Sequence, residues 1–264
     1  PRTMALTVYG DLDVSTIRQL PPGRKPVKTF TRGRDRRDKV YQFVVEEIRR
    51  GRQAYIVCPL VEESEAITAQ SVTELYNEVS QTYFRDIPCG VVHGRLNPQD
   101  KEKVMQAFYQ GEIKVLIATT VIEVGVNVPN ASIMVVEGAD RFGLAQLHQL
   151  RGRVGRGEWQ SYCILLHDGP TASPPERLQL MTEINDGFIL AEKDLLLRGP
   201  GHLFGTRQHG LPDLKIADIV KDIDILLKAQ KAALKLIAHP GTAPDLRQLV
   251  SEKLGPNFGQ ILQS

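Results

Sequence analysis

The chain has 264 residues, 42% of them hydrophobic, and its 33 Lys+Arg against 31 Asp+Glu leave a formal charge of only +2. That length supports one sizeable core with room for a second small unit, and near-neutrality means that any grip on a polyanion comes from local patches. No apolar run reaches the roughly 18 residues of a membrane span and no signal peptide is present, while Cys58, Cys89 and Cys163, odd in number and far apart, indicate neither a disulfide frame nor a zinc site and fit a reducing compartment.

Taken in chain order, residues 1 to 26 end in LPPGRKP, whose Pro21, Pro22, Gly23 and Pro26 read as a linker. From Val27 onward short β-branched runs alternate with segments of helical period, the pattern of a parallel sheet covered by helices. VKTFT is the first predicted strand. DKVYQFVVEEIRRG follows as a helix with Val40, Phe43, Val44 and Ile48 on one face, Asp38 as its expected cap and Gly51 as its stop. AYIVCPL is the second strand and Ser64 to Phe84 the next helix. GVVHG gives the third strand; in NPQDKEKVMQAFYQG, Asn97 is the expected cap, Pro98 the first helical residue and Gly111 the stop. KVLIATT, SIMVVEG and SYCILLH complete a sheet of about six strands ending near His167, with a helix across GLAQLHQLRGR between the last two. After the loop DGPTASPP the chain turns helical: PERLQLMTEIND, FILAEKDLLL, the Gly-rich RGPGHLFGTRQHG, then a helix from about Ile216 to Ile237. The expected domains are 1–26, 27–168 and 169–264.

Charge concentrates in two places. Between Arg24 and Lys39, eight basic residues (Arg24, Lys25, Lys28, Arg32, Arg34, Arg36, Arg37, Lys39) face only Asp35 and Asp38, a run that fits a solvated face and a phosphate contact equally well. The second is HQLRGRVGRGEWQ, where Arg151, Arg153 and Arg156 stand among Gly152, Gly155 and Gly157, together with Arg141. The six histidines lack metal-ligand spacing, and no metal site is expected.

Ligands of open α/β sheets bind at the carboxyl ends of strands. Two segments begin there. In ATTVIEVGVNVPNA, Thr119 and Thr120 offer hydroxyl and N–H groups to a phosphate, Gly125 permits close backbone approach and Asn127 can bond a sugar hydroxyl, although a strand-to-loop switch needs the same residue types. In VVHGRLNPQDKEK, the His93-Gly94-Arg95 loop leads into a helix N-terminus able to hold an anion.

In this order the HGR loop, TTVIEVGVNVP and QLRGRVGR resemble the second, RecA-like motor lobe of superfamily 2 helicases, the last matching Q-x-x-G-R-x-G-R through Gln149, Gly152, Arg153, Gly155 and Arg156. The resemblance implies ATP as cofactor with Mg²⁺, Arg153 on the γ-phosphate and Arg156 as the arginine finger. It implies Gln149, Glu123, Gly125 and Asn127 on the nucleotide side, and His93, Gly94, Arg95, Thr119 and Thr120 on DNA. Arg151 falls on an unspecified position and is expected to be structural or solvated.

GDLDVS, LPPGRKPVKT, NDGFILAEKDLLLRGPG and GTRQHG narrow the likeness, over nearly the whole chain, to the RecG family of bacterial replication-fork remodelling helicases. That likeness implies a helical hairpin and loop that couple lobe closure to movement along duplex DNA, with Arg177, Arg198 and Gln208 as the coupling residues. It implies branched double-stranded DNA as partner, together with a first motor lobe and a wedge domain of the same protein, single-strand DNA-binding protein as a further partner, and a bacterial cytoplasmic, nucleoid-associated setting without membrane. The transcription-repair coupling translocase shares the hairpin but usually reads RGAG where Arg198-Gly199-Pro200-Gly201 stands. His202 and His209 depart from the family, which usually has Glu and a small hydroxyl residue there. The phosphate-binding G-x-G-K-T and the acidic Mg²⁺-holding motif do not occur in the 264 residues, and PRTMALTVYG resembles sequence just after the third helicase motif. The expectation is therefore a chain that starts inside the end of lobe one and does not hydrolyse ATP alone. A non-enzymatic module that keeps the fold and only binds nucleic acid or protein is the competing class.

Overall fold

A computed structural model describes residues 25–59, 65–119, 128–198 and 223–238. Six strands, β1 (Lys28–Gly33), β2 (Gln53–Val57), β3 (Cys89–Val92), β4 (Val115–Ala118), β5 (Ala131–Val136) and β6 (Tyr162–His167), form one sheet in the order β1-β6-β5-β2-β4-β3, with every pairing parallel. Parallel neighbours require crossovers, and helices supply them: α1 (Arg37–Arg49), α2 (Glu65–Thr82), α3 (Pro98–Tyr109) and α4 (Leu144–Arg151).

Both faces of the sheet are covered, which explains strands that read as unbroken apolar runs. Alternation along β2 sends Tyr55 and Val57 to one core with Phe108 of α3 and Leu144 and Leu147 of α4. Ala54 and Ile56 go to the other with Val40, Tyr41 and Val44 of α1 and Val72 and Val79 of α2. Beyond β6 come α5 (Glu176–Glu183) and α6 (Gly187–Arg198). Leu178, Met181 and Leu190 are buried in the first of these cores, so α5 and the start of α6 pack on the lobe. One compact unit accordingly runs from Gln19 to Asp194. A second comprises 1–18 and 195–264, and within it α7 is described over Ile223–Ala238; the expected start of this helix near Ile216 lies outside the described residues.

Local chemistry accounts for the helix ends. Asn97 adopts extended backbone and its side-chain oxygen accepts from the Asp100 N–H at 2.8 Å, with Pro98 at the first helical position, as expected. Gly51 at φ 89° and Gly111 at φ 76° follow α1 and α3 in the left-handed region. Asp38 is not the cap of α1: the helix starts at Arg37 after a 3₁₀ turn over Arg34–Arg36, and the Asp38 carboxylate instead accepts from the Tyr83 hydroxyl. Buried charge is paired, as its desolvation demands. Glu47, on α1, accepts from Arg50 at 2.7 Å and from Arg52, and Arg37 donates to Glu78 at 2.6 Å and to Glu137 at 2.8 Å.

Candidate functional site

The arginine-rich segment starts at the last residue of α4 and returns the chain to β6. Its shape follows from two residues. Val154 is fully buried and pins the loop to the core, and Gly155 stands at φ 79°, a conformation that side chains with a Cβ rarely adopt. Arg153 and Arg156 flank that pivot, half-buried and exposed respectively. Burial pushes the Tyr55 hydroxyl up to about 12, against an opposing pull from Arg153 and Arg156. Arg156 donates through Nε to the Gly152 carbonyl at 3.3 Å and stays exposed. Gly157 passes so close to Pro129 that a Cβ there would lie 2.2 Å from its carbonyl oxygen. Gln149 is exposed on α4, one turn before Arg153.

Arg151 differs from both. It is buried at 4% exposure, and its Nη1 donates to the carbonyls of Met181 and Ile184, each at 2.9 Å. Its Nη2 donates to Asn185 O at 3.1 Å and lies 2.9 Å from His148 Nδ1. The guanidinium can only donate, so Nδ1 is the acceptor and the neutral ring carries its proton on Nε2. Burial holds His148 below its usual pKa, and Arg151 adds to the effect. Arg151 thereby closes the open carbonyls at the C-terminal end of α5, where a cation is favoured. A sequence signal existed: Arg151 stands seven residues after Leu144 and four after Leu147, on the helical stripe that those leucines bury.

The strand-end loops are less uniform than expected. Gly94 and Arg95 are exposed after β3, whereas His93 is half-buried with Nδ1 lacking a partner among the described residues. Thr119, at the end of β4, is fully buried; its N–H donates to Val92 O at 3.3 Å and its hydroxyl has no partner among the described residues. Thr119 is thus not on the surface, unlike Arg95. Thr120, Glu123, Gly125 and Asn127 lie outside the described residues, as do Gln208, His202 and His209. Arg198 ends α6 and only its backbone is described. Arg177, on α5, donates to the main-chain oxygen of Asp140, in a 3₁₀ turn over Ala139–Arg141 that follows β5. Both ends of α5 are thus tied to the lobe, the start through Arg177 and the finish through Arg151.

No described helix is long and apolar enough to cross a membrane, and no group of three metal-ligating side chains occurs among the described residues. Comparison with known proteins matches residues 35–158 to the helicase conserved C-terminal domain and residues 184–250 to the C-terminal part of domain 3 of the ATP-dependent DNA helicase RecG. The chain is 50% identical over 238 residues to the ATP-dependent DNA helicase RecG of Bacillus subtilis, covering 90% of this chain and 35% of that protein. It is 48% identical over 259 residues to the corresponding protein of Staphylococcus aureus, covering 96% of this chain and 38% of that one. A solved structure of RecG bound to a three-way DNA junction superimposes with a TM-score of 0.65 at 47% identity, over 86% of this chain and 29% of that one. The chain therefore spans little more than a third of the length of these curated relatives. A RecA-like helicase C-terminal lobe continuous with the C-terminal part of RecG domain 3 places this chain in the RecG family.

Proposed function

We propose that the chain is the second motor lobe and translocation segment of an ATP-dependent double-stranded DNA translocase that remodels branched DNA, at stalled replication forks and Holliday junctions, in recombination and repair. The observation that carries this reading is the placement of Arg153 and Arg156 on either side of the Gly155 pivot, on a loop that the buried Val154 pins to the core. Two permanently charged forks carried on one short, pinned turn fit an incoming phosphoryl group, and a non-enzymatic binder has no need of them. Arg153 contacts the γ-phosphate, and Arg156 stabilises the charge that develops as phosphoryl transfer proceeds. ATP supplies the γ-phosphoryl group; the nucleotide and Mg²⁺ are held mainly by a first lobe. Gln149, Glu123, Gly125 and Asn127 complete the nucleotide side.

In this reading lobe closure on the nucleotide moves the loop of His93, Gly94 and Arg95 and the loop at Thr120, beyond the buried Thr119, on one DNA strand, held by its phosphates. The hairpin bearing Arg177 and Arg198, with Gln208 beyond it, transmits that motion. The relative solved with a three-way junction supports branched DNA as the substrate. Because G-x-G-K-T is not among these 264 residues, they do not turn over ATP alone.

The test is DNA-stimulated ATP hydrolysis by the full-length protein with Arg156→Ala. Turnover falls by roughly 10³ to 10⁵ while junction affinity is largely kept. Equal loss of binding and hydrolysis would show that Arg156 is a DNA contact, and a DNA-stimulated ATPase from the 264 residues alone would remove the claim that they need a first lobe.

A further inference from the structure

The basic run from Arg24 to Lys39 is not used by the reading above, and the structure sorts its members. Arg37 is consumed by Glu78 and Glu137. Arg34 and Arg36 follow β1 and are exposed. Across the sheet order β1-β6-β5, Arg141 follows β5 and is exposed as well.

These arginines stand on one welded corner. The Gly33 N–H donates to Thr171 Oγ1 at 2.8 Å, and Thr171 donates in turn through N and Oγ1 to Asp35 Oδ1 at 2.9 and 2.8 Å. The Arg34 N–H donates to Gly169 O at 3.3 Å. A Cβ on Gly33 would lie 2.3 Å from both Gly169 O and Thr171 N, so the two loops touch backbone to backbone. Arg141 reaches Asp168 of the same loop at 3.5 Å, with both side chains 60% exposed. Arg36 meets Asp35 at 3.4 Å, with the two side chains about half exposed. Pairs so open to water are weak and readily exchanged, and Asp35 is already turned to Thr171. The corner therefore presents three long cations on a rigid base.

All strands are parallel, so this corner shares the sheet edge with the loops after β3 and β4. At about 4.8 Å per strand, β1 lies roughly 24 Å from β3. Single-strand sites use open aromatic faces for base stacking. Here the exposed ring of β1, Phe30, is covered by the Arg32 guanidinium 5.2 Å from its centroid. Phosphate-only contact of this kind suits a duplex, whose backbone carries a charge about every 1.7 Å of its axis.

We infer that Arg34, Arg36 and Arg141 form a second phosphodiester contact for duplex DNA, separate from the β3 and β4 loops. The inference rests on the motor reading. It makes the β1–β6 corner a holding point that keeps the duplex against the lobe without reading its sequence.

The test uses the full-length protein with Arg34→Ala, Arg36→Ala and Arg141→Ala combined, binding an unbranched duplex between about 50 and 200 mM salt. Each lost contact makes the fall of log affinity with log salt less steep by about 0.9, so the combined variant's slope is shallower by roughly 2.7. Over that range wild-type affinity falls about 40-fold more than the variant's. Binding to a single strand of equal length changes little. Arg34→Glu alone, at an exposed position, gives a smaller slope change if the combined variant does not fold. An unchanged duplex slope in a wild type that binds DNA overturns this contact alone; a wild type that binds no DNA overturns the motor reading with it. Equal loss on single strands overturns the duplex assignment, and an unchanged slope with weakened binding to polyglutamate gives the corner to an acidic protein.

Discussion

The Nη1 of Arg151 lies 2.9 Å from the main-chain oxygen of Ile184, joining the end of α4 to the residue that follows α5. A cation that donates to three carbonyls and an imidazole, with no carboxylate among those partners, works as a structural cap. Replacing it by Met keeps the volume and strands the carbonyls. Arg151→Met is expected to lower unfolding free energy by about 2–4 kcal/mol, read from the urea midpoint. Arg151→Lys recovers less than half, because an ammonium cannot fork onto the same set. An unchanged midpoint in Arg151→Met would show that water replaces the cap without cost.

Gly187 opens α6 against His148. A Cβ at this position would lie 2.5 Å from His148 Nε2. Gly187→Ala therefore forces the ring or the helix to shift, at a cost of about 1–3 kcal/mol. The cost is specific to one neighbour, so in a His148→Ala background the same substitution is close to neutral. Thermal melting of the four proteins of this double-mutant cycle measures the coupling. Additive losses would place the strain elsewhere.

The central strands β2, β4 and β5 were legible because they are buried on both faces and read as unbroken apolar runs, and Asn97-Pro98 announced its helix by local chemistry alone. What escaped was decided by partners distant in the chain. Asp38 has the chemistry of a cap, yet Tyr83 engages its carboxylate, 45 residues on. The motif already sets Arg151 apart from Arg153 and Arg156 as structural or solvated; what the sequence does not show is the carbonyls about 30 residues later that it caps. Arg37 could not be separated from Arg34 and Arg36 until Glu78 and Glu137 were placed beside it. A composition-based break at 168/169 also missed that Leu178 and Met181 complete the core of the lobe.

His148 makes the same junction sensitive to acid. Burial lowers its pKa first and Arg151 lowers it further, while Asp186 opposes them. An unfolded histidine binds its proton near pH 6.5, and the folded one resists. Above that pH the ring is neutral in both states and contributes nothing to the slope. As pH falls below it the unfolded chain holds more protons, and stability declines until the folded ring also titrates. His148→Asn keeps an acceptor for Arg151 and removes the titration. Its melting temperature should fall less than that of the wild type between about pH 7 and pH 5.5; parallel curves would exclude the ring as the source.

Arg177 tests whether the hairpin works as a lever. Its guanidinium donates to the Asp140 carbonyl, in the turn that also carries Arg141, and α5 is held at its other end by Arg151. In the proposed mechanism Arg153 and Arg156 complete hydrolysis without Arg177, which passes the motion onward with Gln208. Arg177→Ala and Gln208→Ala in the full-length protein should each keep most DNA-stimulated ATP turnover and slow junction unwinding by roughly tenfold or more, a barrier change of about 1.4 kcal/mol. The ratio of base pairs unwound to ATP consumed reads this directly, because a variant that is merely less stable lowers both rates and leaves the ratio intact. A normal ratio in both variants would show that motion reaches DNA by another route.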